Sequence, residues 1–599
     1  MKYSNPNLKN LAKPLAALSL SLSALPSLAD TVAVYDLEGN IGESGNKQVS
    51  LMDLGNAGRA LTHFDIVESL NSAITDAEVK AVVLDVDAAQ MSLAQVQEMR
   101  RLLLAIRKAG KDVWLYTQQL NTRTALLGSA ANHMTLLPEG NVALNGLYSE
   151  SMYFKGLMDK VGVKAEVIHI GDFKSAGETF YRTGPSDYAQ KQSDLLMDSM
   201  YKQIISQVAA GRGIAPEKMK AIMDMGMITA EQALELKLVD HLEYRTDFIN
   251  IIRKKYGEET TYDKGYNLPD LDGPEINGVM DLLKLAFKKD KSSALKEDYI
   301  AVITLDGGID DASIAPVRTE ILNAKRNEHC KAIVFRINSP GGSALSSDVL
   351  WEATEEFKAT GRPFIVSMGG VAASGGYYVA AGADHIYAEE GTITGSIGVV
   401  GMKFVIGGAM DKLGITTHSS QRGKHADIWN TSRSYTAEEQ KIVRESMLDV
   451  YGTFKKRITD GRGEKIKGDL EKLAGGRVYS GIDALKIGLV DEIGGLNEAI
   501  EKAATMAKLE TYNTFLFPKA KNGLEGMFAK DSKKDQHEFI GMAAKKSPKI
   551  FEAAFLETPA LRLLGPDKQR QIIQFINQVE SFQDQRILLI APSFNTKMK

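Results

Sequence analysis

Short apolar runs recur along this chain, each followed by a stretch whose apolar positions fall three and four residues apart. Ala332–Ile337 (AIVFRI) is such a run, and Ser346–Thr360 follows it with helical spacing. A run of β-branched residues suits a strand buried on both faces, and the amphipathic stretch suits a helix lying on the sheet. Strand and helix in alternation predict a parallel sheet with helical crossovers, an α/β fold.

The pattern occurs twice. Thr31–Ile41 (TVAVYDLEGNI) matches Tyr299–Ile309 (YIAVITLDGGI). Lys80–Leu84, Met158–Val163, Gly211–Gly213 and Ala233–Asp240 match Lys331–Phe335, Met410–Ile415, Gly461–Gly463 and Ala484–Asp491, at offsets of 251, 252, 250 and 251 residues. Five matches in one order predict two copies of one domain. The expected layout is an export segment over 1–29, a first α/β domain over 30–253 and a linker over 254–297. A second α/β domain over 298–509 and a helical extension over 510–599 complete it. The linker is read from its charge, glycine and proline, with a short helix at Val279–Phe287. The extension has apolar stretches such as Ile572–Val579 and lysine clusters, and is expected to pack on its own protein as helix, with an oligomer contact or a membrane surface as the alternatives.

Charge and composition narrow the function. The net charge is −4 and the pI about 6.2, which gives no basic footprint for nucleic acid. A single cysteine, Cys330, leaves no intrachain disulfide and no cysteine pair for zinc, and the nine histidines lack HExxH spacing. No metal and no cofactor is implied. Lys2, Lys9 and Lys13 precede a Leu/Ala/Ser run over Leu15–Leu25, and no acidic residue comes before Asp30. Pro26 and Ser27-Leu28-Ala29 then read as a signal-peptide cleavage site before Asp30, with an uncleaved anchor as the alternative. Either reading places the bulk of the chain outside the cytoplasm.

The second copy carries two glycine-rich turns at the carboxyl ends of its expected strands, where open α/β sheets bind ligands. They are Ser339-Pro340-Gly341-Gly342-Ser343 and Gly369–Gly376, which holds Ser374 before an expected helix over Gly375–Ala383. A serine at a helix start meets free N–H groups and positive potential, which suits a nucleophile beside an oxyanion hole. The expected donors are the N–H groups of Gly341 or Gly342 and of Gly375. Serine at such a place is otherwise a helix cap, and the turns lack the GxxxxGK[ST] pattern of a phosphate cradle. At the offset of 251 the first copy has Arg123 in place of the serine and Gln90-Met91 in place of the glycines, so these residues serve something other than the fold. His385 lies in the next expected strand, and His418 and His425 have no acidic partner in register. A desolvated lysine is the other base available, and Lys174 and Lys424 stand in matched loops.

The stretches SPGGS (339–343), SMGGVAASGGYY (367–378), TGSIGVVG (394–401) and GDFKSAGETF (171–180) resemble the signal peptide peptidase A family, also called protease IV, in its tandem double-length form. The resemblance covers residues 31–505. It implies a Clp-protease/crotonase-like fold in both copies. It also implies hydrolysis of membrane-released signal peptides and a tetramer whose sites line a bowl-shaped chamber at the membrane. By it, Ser374 is the nucleophile and Lys174 the base, and the protein works in the periplasm or on the outer face of the cytoplasmic membrane. Tandem members carry an N-terminal anchor, whereas the segment here reads as cleavable. Half-length relatives pair a serine with the lysine of a neighbouring protomer. That geometry gives Ser374 the lysine of a first copy and turns Lys424 toward the slot at Arg123. A pair formed inside one copy would make Lys424 the base instead. Acyl-thioester binding, which the same fold family performs, and an inactive scaffold remain the alternatives to a peptidase. The Gly-, Ala- and Val-rich loops predict extended apolar peptides as substrates.

Overall fold

The computed structural model describes residues 30–44, 60–87, 89–269, 296–518, 587–592 and 596–598. Two sheets of like order form two tandem α/β units. In the first, the parallel order is His241–Leu242, His133–Ala143, Asp112–Asn121, Val79–Asp85, Thr31–Asp36 and Thr261–Lys264. The second runs Val478–Ser480, Ile393–Gly395, Phe364–Ala373, Cys330–Ser339, Tyr299–Asp306 and Asn513–Phe517. Tyr299–Leu305 is buried at every position, as a strand covered by helices on both faces must be. The long helices Asp187–Arg212 and Ala437–Arg462 are 26 residues each and start at capping hydroxyls, Ser186 and Thr436.

A third sheet joins the two units. Lys164–Ile170 from the first pairs antiparallel with Val399–Val405 from the second through seven residue pairs. A charged cluster buried between the units holds them as well. Arg336 reaches Glu43 and Glu98 at 3.0 and 3.1 Å, with all three side chains nearly inaccessible. Arg101 bridges Glu389 and Glu498 close by. Burial alone would raise the Glu98 carboxyl, but Arg336 and His63 hold it far below the usual carboxylate range. Removing one partner strands the others in a dry interior, which costs about 3–5 kcal/mol. Arg336→Met should therefore lower unfolding stability by about that amount in denaturant titration; a loss under about 1 kcal/mol would mean that water reaches the cluster.

The linker expectation needs correction. The chain past residue 253 completes the helix Arg245–Tyr256 and then adds the edge strand Thr261–Lys264 beside Thr31–Val34. Phe248 and Ile252 pack on Trp114 and Tyr116, while the charged residues that suggested a linker line the solvent side. The extension likewise contributes strands where it is described: Asn513–Phe517, Ile587–Ile590 and Thr596–Met598. The expected helix at 279–287, the apolar stretch at 572–579 and the segment 1–29 lie outside the described residues. Among the described residues, no helix is long and apolar enough to cross a membrane.

Candidate active site

Strand Phe364–Ala373 ends at Ser374, the residue before the short helix Gly375–Ala380. Ser374 has φ +54° and ψ −113°, a conformation that costs a non-glycine residue about 1–3 kcal/mol. Its backbone holds it there: Ser374 N–H donates to Gly395 O at 2.7 Å, and Tyr378 N–H donates to Ser374 O at 2.8 Å. Its hydroxyl makes no capping bond to the helix. Instead Ser374 Oγ lies 2.7 Å from Lys174 Nζ, and both side chains are buried.

Lys174 arrives from the other unit. Strand Lys164–Ile170 leads into Gly171, whose φ is +106° and whose Cβ, if present, would stand 2.4 Å from the Gly475 carbonyl carbon. Phe173 N–H donates to Gly475 O at 2.9 Å. The Gln192 side chain bonds both N–H and C=O of Val478, which ties this part of the second unit to the helix Asp187–Arg212 of the first. Two glycines make room for the lysine. A Cβ at Gly476 would sit 2.4 Å from Lys174 N, and one at Gly398 would sit 3.1 Å from Lys174 Cδ. The ammonium end donates to Ser396 O at 2.8 Å and to Ser396 Oγ at 3.0 Å. Among the described residues no carboxylate takes part, and burial holds the Lys174 pKa well below the ordinary lysine range.

The glycine turns meet beside Ser374. A Cβ on Gly341 would stand 2.6 Å from Gly375 N, and one on Gly375 would stand 3.2 Å from Gly342 N, so only glycine permits the approach. Gly341 N–H donates to Ser339 Oγ at 3.1 Å, and the Gly375 N–H opens the helix. Gly341, Gly342 and Gly375 thus converge on the serine.

Other candidates lie apart. Lys424 is exposed and sits on Glu438 at 2.5 Å. His385 and His425 are 3.3 and 3.7 Å from Glu492 and Glu438. Arg123 does not occupy the place of the serine. Asn121 pairs with Ala143 as Ala373 pairs with Gly395, so Thr122 stands where Ser374 does. Between matching paired positions, Ile365–Ala373 carries one residue more than Trp114–Asn121, and a constant offset cannot register such a bulge. Arg123 donates instead to Ala89 O at 2.9 Å. Ser396, in TGSIGVVG, is a functional residue that sequence reasoning misses: its φ is +53°, but a serine after glycine carries no sequence mark of its contact with Lys174. Among the described residues no cluster of His, Cys, Asp and Glu could hold a metal ion.

Known proteins resemble this chain in sequence. Residues 105–257 and 356–510 each match peptidase family S49, and residues 288–389 match Clp protease. "Protease 4" of Salmonella typhi is 31% identical over 468 residues, covering 75% of this chain and 73% of that protein. "Protease 4" of Haemophilus influenzae is 30% identical over 467 residues, 74% of this chain and 73% of its own. "Serine protease SPPA, chloroplastic" of Arabidopsis thaliana is 31% identical over 454 residues, 74% of this chain and 65% of its own. The chain belongs to peptidase family S49 in its tandem two-domain form, and it is a serine peptidase.

Proposed function

We propose that the chain cleaves extended apolar peptides, spent signal peptides among them, with Ser374 as nucleophile and Lys174 as general base. The observation that carries this reading is the buried 2.7 Å contact between Lys174 Nζ and Ser374 Oγ. A neutral lysine has two N–H bonds and one lone pair. Ser396 O and Ser396 Oγ accept the two N–H bonds, which leaves the lone pair for the Ser374 hydroxyl. Ser374 O–H donates to it, and attack on a peptide carbonyl passes that proton to Nζ. The Gly341–Gly342 turn and Gly375 supply N–H groups for the developing oxyanion, each worth about 3 kcal/mol. Nζ then protonates the leaving amine, and water repeats the sequence on the acyl-enzyme. The dyad forms within one chain, across its two copies, so each chain of a homotetramer carries one site. Lys2, Lys9 and Lys13 before the Leu/Ala/Ser run over Leu15–Leu25 support the reading that the work is done in the periplasm or at the outer face of the cytoplasmic membrane. Neither an acyl-thioester site nor an inert scaffold has a use for a buried lysine on a serine.

A fluorophosphonate probe tests the reading directly: it should label Ser374, and Lys174→Arg should block the labelling. The pH dependence has a definite sign. Lys174 must be neutral to act, so kcat/KM rises with pH through its pKa and then levels. Because burial lowers that pKa, the rise should finish well below the ordinary lysine value of ~10.4. A profile still climbing at that value would remove Lys174 as the base.

A further inference from the structure

One cation beside the base has no counter-charge. Arg477 is half-buried, and among the described residues no carboxylate pairs with it and no acceptor takes its guanidinium N–H groups. The guanidinium lies over the Phe173 ring, 3.7 Å from the centroid. Phe173 is buried, directly precedes Lys174, and meets the Tyr188 ring edge-on at 5.0 Å. The backbone of Arg477 belongs to the grip on the lysine: its carbonyl oxygen accepts from Ser396 N–H at 2.6 Å, and Ser396 accepts from Lys174 Nζ through O and Oγ. The copy without a nucleophile lacks this cation. Gly395 pairs with Val478 as Ala143 pairs with Met227, so Gly226 stands where Arg477 does. A residue that served only the fold would be needed in both copies.

We infer that Arg477 receives the terminal carboxylate of the peptide, on the leaving side of the scissile bond, and so selects chains with a free carboxyl end. The inference rests on the reading of Ser374 and Lys174 as the peptidase dyad. Nζ must reach the leaving amine to protonate it, so the segment after the scissile bond departs on the lysine's side of the serine. Arg477 is on that side, in the loop packed against the lysine loop. A guanidinium stacked by its face keeps its in-plane N–H donors for a ligand, and that fork matches a carboxylate with two parallel hydrogen bonds. The ring of Phe173 holds the fork in place, so little freedom is lost on binding. The chemistry suits a spent signal peptide. Its end is a carboxylate because an earlier cut exposed one, whereas the same segment still joined to its protein continues through a neutral amide. Recognition of the charge confines hydrolysis to chains that have already been cut.

The test uses two fluorogenic apolar peptides of one sequence, one ending in a carboxylate and the other in a carboxamide. The native chain should favour the free acid by about ten-fold or more in kcat/KM, and the difference should lie in KM, as loss of a charge-assisted contact shared by substrate and transition state requires. Arg477→Met keeps a stem on Phe173 and removes the charge, so the acid-to-amide ratio should fall to about one. Arg477→Lys keeps a charge without the fork, so its ratio should fall between the two. A native ratio near one overturns the inference. So does a ratio unchanged in the variants while both peptides are cleaved equally more slowly, which is how a mere clip between the units behaves. Fluorophosphonate labelling separates the two levels, since the probe has no carboxylate. Ser374 labelled alongside a native ratio near one refutes the role of Arg477 alone, whereas Ser374 unlabelled in the native chain refutes the dyad beneath it.

Discussion

Lys174→Arg is expected to cut peptide hydrolysis by about a thousand-fold or more, in line with loss of a general base and its alignment, while Lys424→Arg keeps most of the activity. Arginine conserves charge, and charge is what the site cannot use. A guanidinium stays protonated at any working pH and has no lone pair to take the Ser374 proton. It is also planar and larger, and the glycines at 398 and 476 leave the lysine stem no spare width. Lys424 is in the opposite situation, exposed and paired with Glu438, where arginine serves equally well. The reverse ranking would falsify pairing across the two copies.

The same lysine makes stability depend on pH. Burial lowers the pKa of Lys174 in the folded chain, while the unfolded chain keeps the ordinary value. Between its lowered folded pKa and the ordinary value of ~10.4, the unfolded state binds more protons, so stability rises with pH across that window. Lys174→Met removes this dependence. The native chain should therefore gain on the methionine variant as pH increases, in parallel denaturation series. A flat difference would mean that Lys174 keeps its proton in the folded chain.

Much of this architecture was legible because two kinds of regularity survive in sequence. Buried parallel strands are continuous apolar runs, so Ala332–Ile337 could be placed from its residues alone, and repetition near offset 251 exposed the tandem units. The glycine turns were legible for a related reason, since close backbone approach at 341 and 375 excludes every side chain. What escaped lacks such regularity. Thr261–Lys264 is a half-solvated edge strand whose charged flank reads like a linker. The bulge that brings Thr122 to the place of Ser374 is one inserted residue, invisible to an offset count. The pairing of Ile587–Ile590 with Gly341–Ser343 joins segments some 250 residues apart, and no local pattern encodes such a partner. Lys174 lies 200 residues from Ser374, so resemblance rather than spacing pointed to it.

Ser374→Ala should lower peptide hydrolysis by at least about 10⁴-fold, as loss of a serine nucleophile does, without unfolding the chain. The fold has no structural need of the hydroxyl, because it caps no helix and its partner is Lys174. The backbone at this position tells more. A φ of +54° with ψ −113° is costly for alanine and serine alike, so Ser374→Ala keeps the strain while Ser374→Gly releases it. The relief is about 1–3 kcal/mol, and the extra freedom of glycine in the unfolded chain returns about 0.5–1 kcal/mol of it. Ser374→Gly should thus be inactive yet more stable than Ser374→Ala by about 1 kcal/mol in denaturant titration. Greater stability in the inactive glycine chain would identify the strain as part of the catalytic arrangement, maintained so that Oγ stands clear of the helix and within reach of Lys174. Equal stability of the two variants would mean that the turn carries no strain and that the hydrogen bonds to Gly395 O and from Tyr378 N–H define it at no cost.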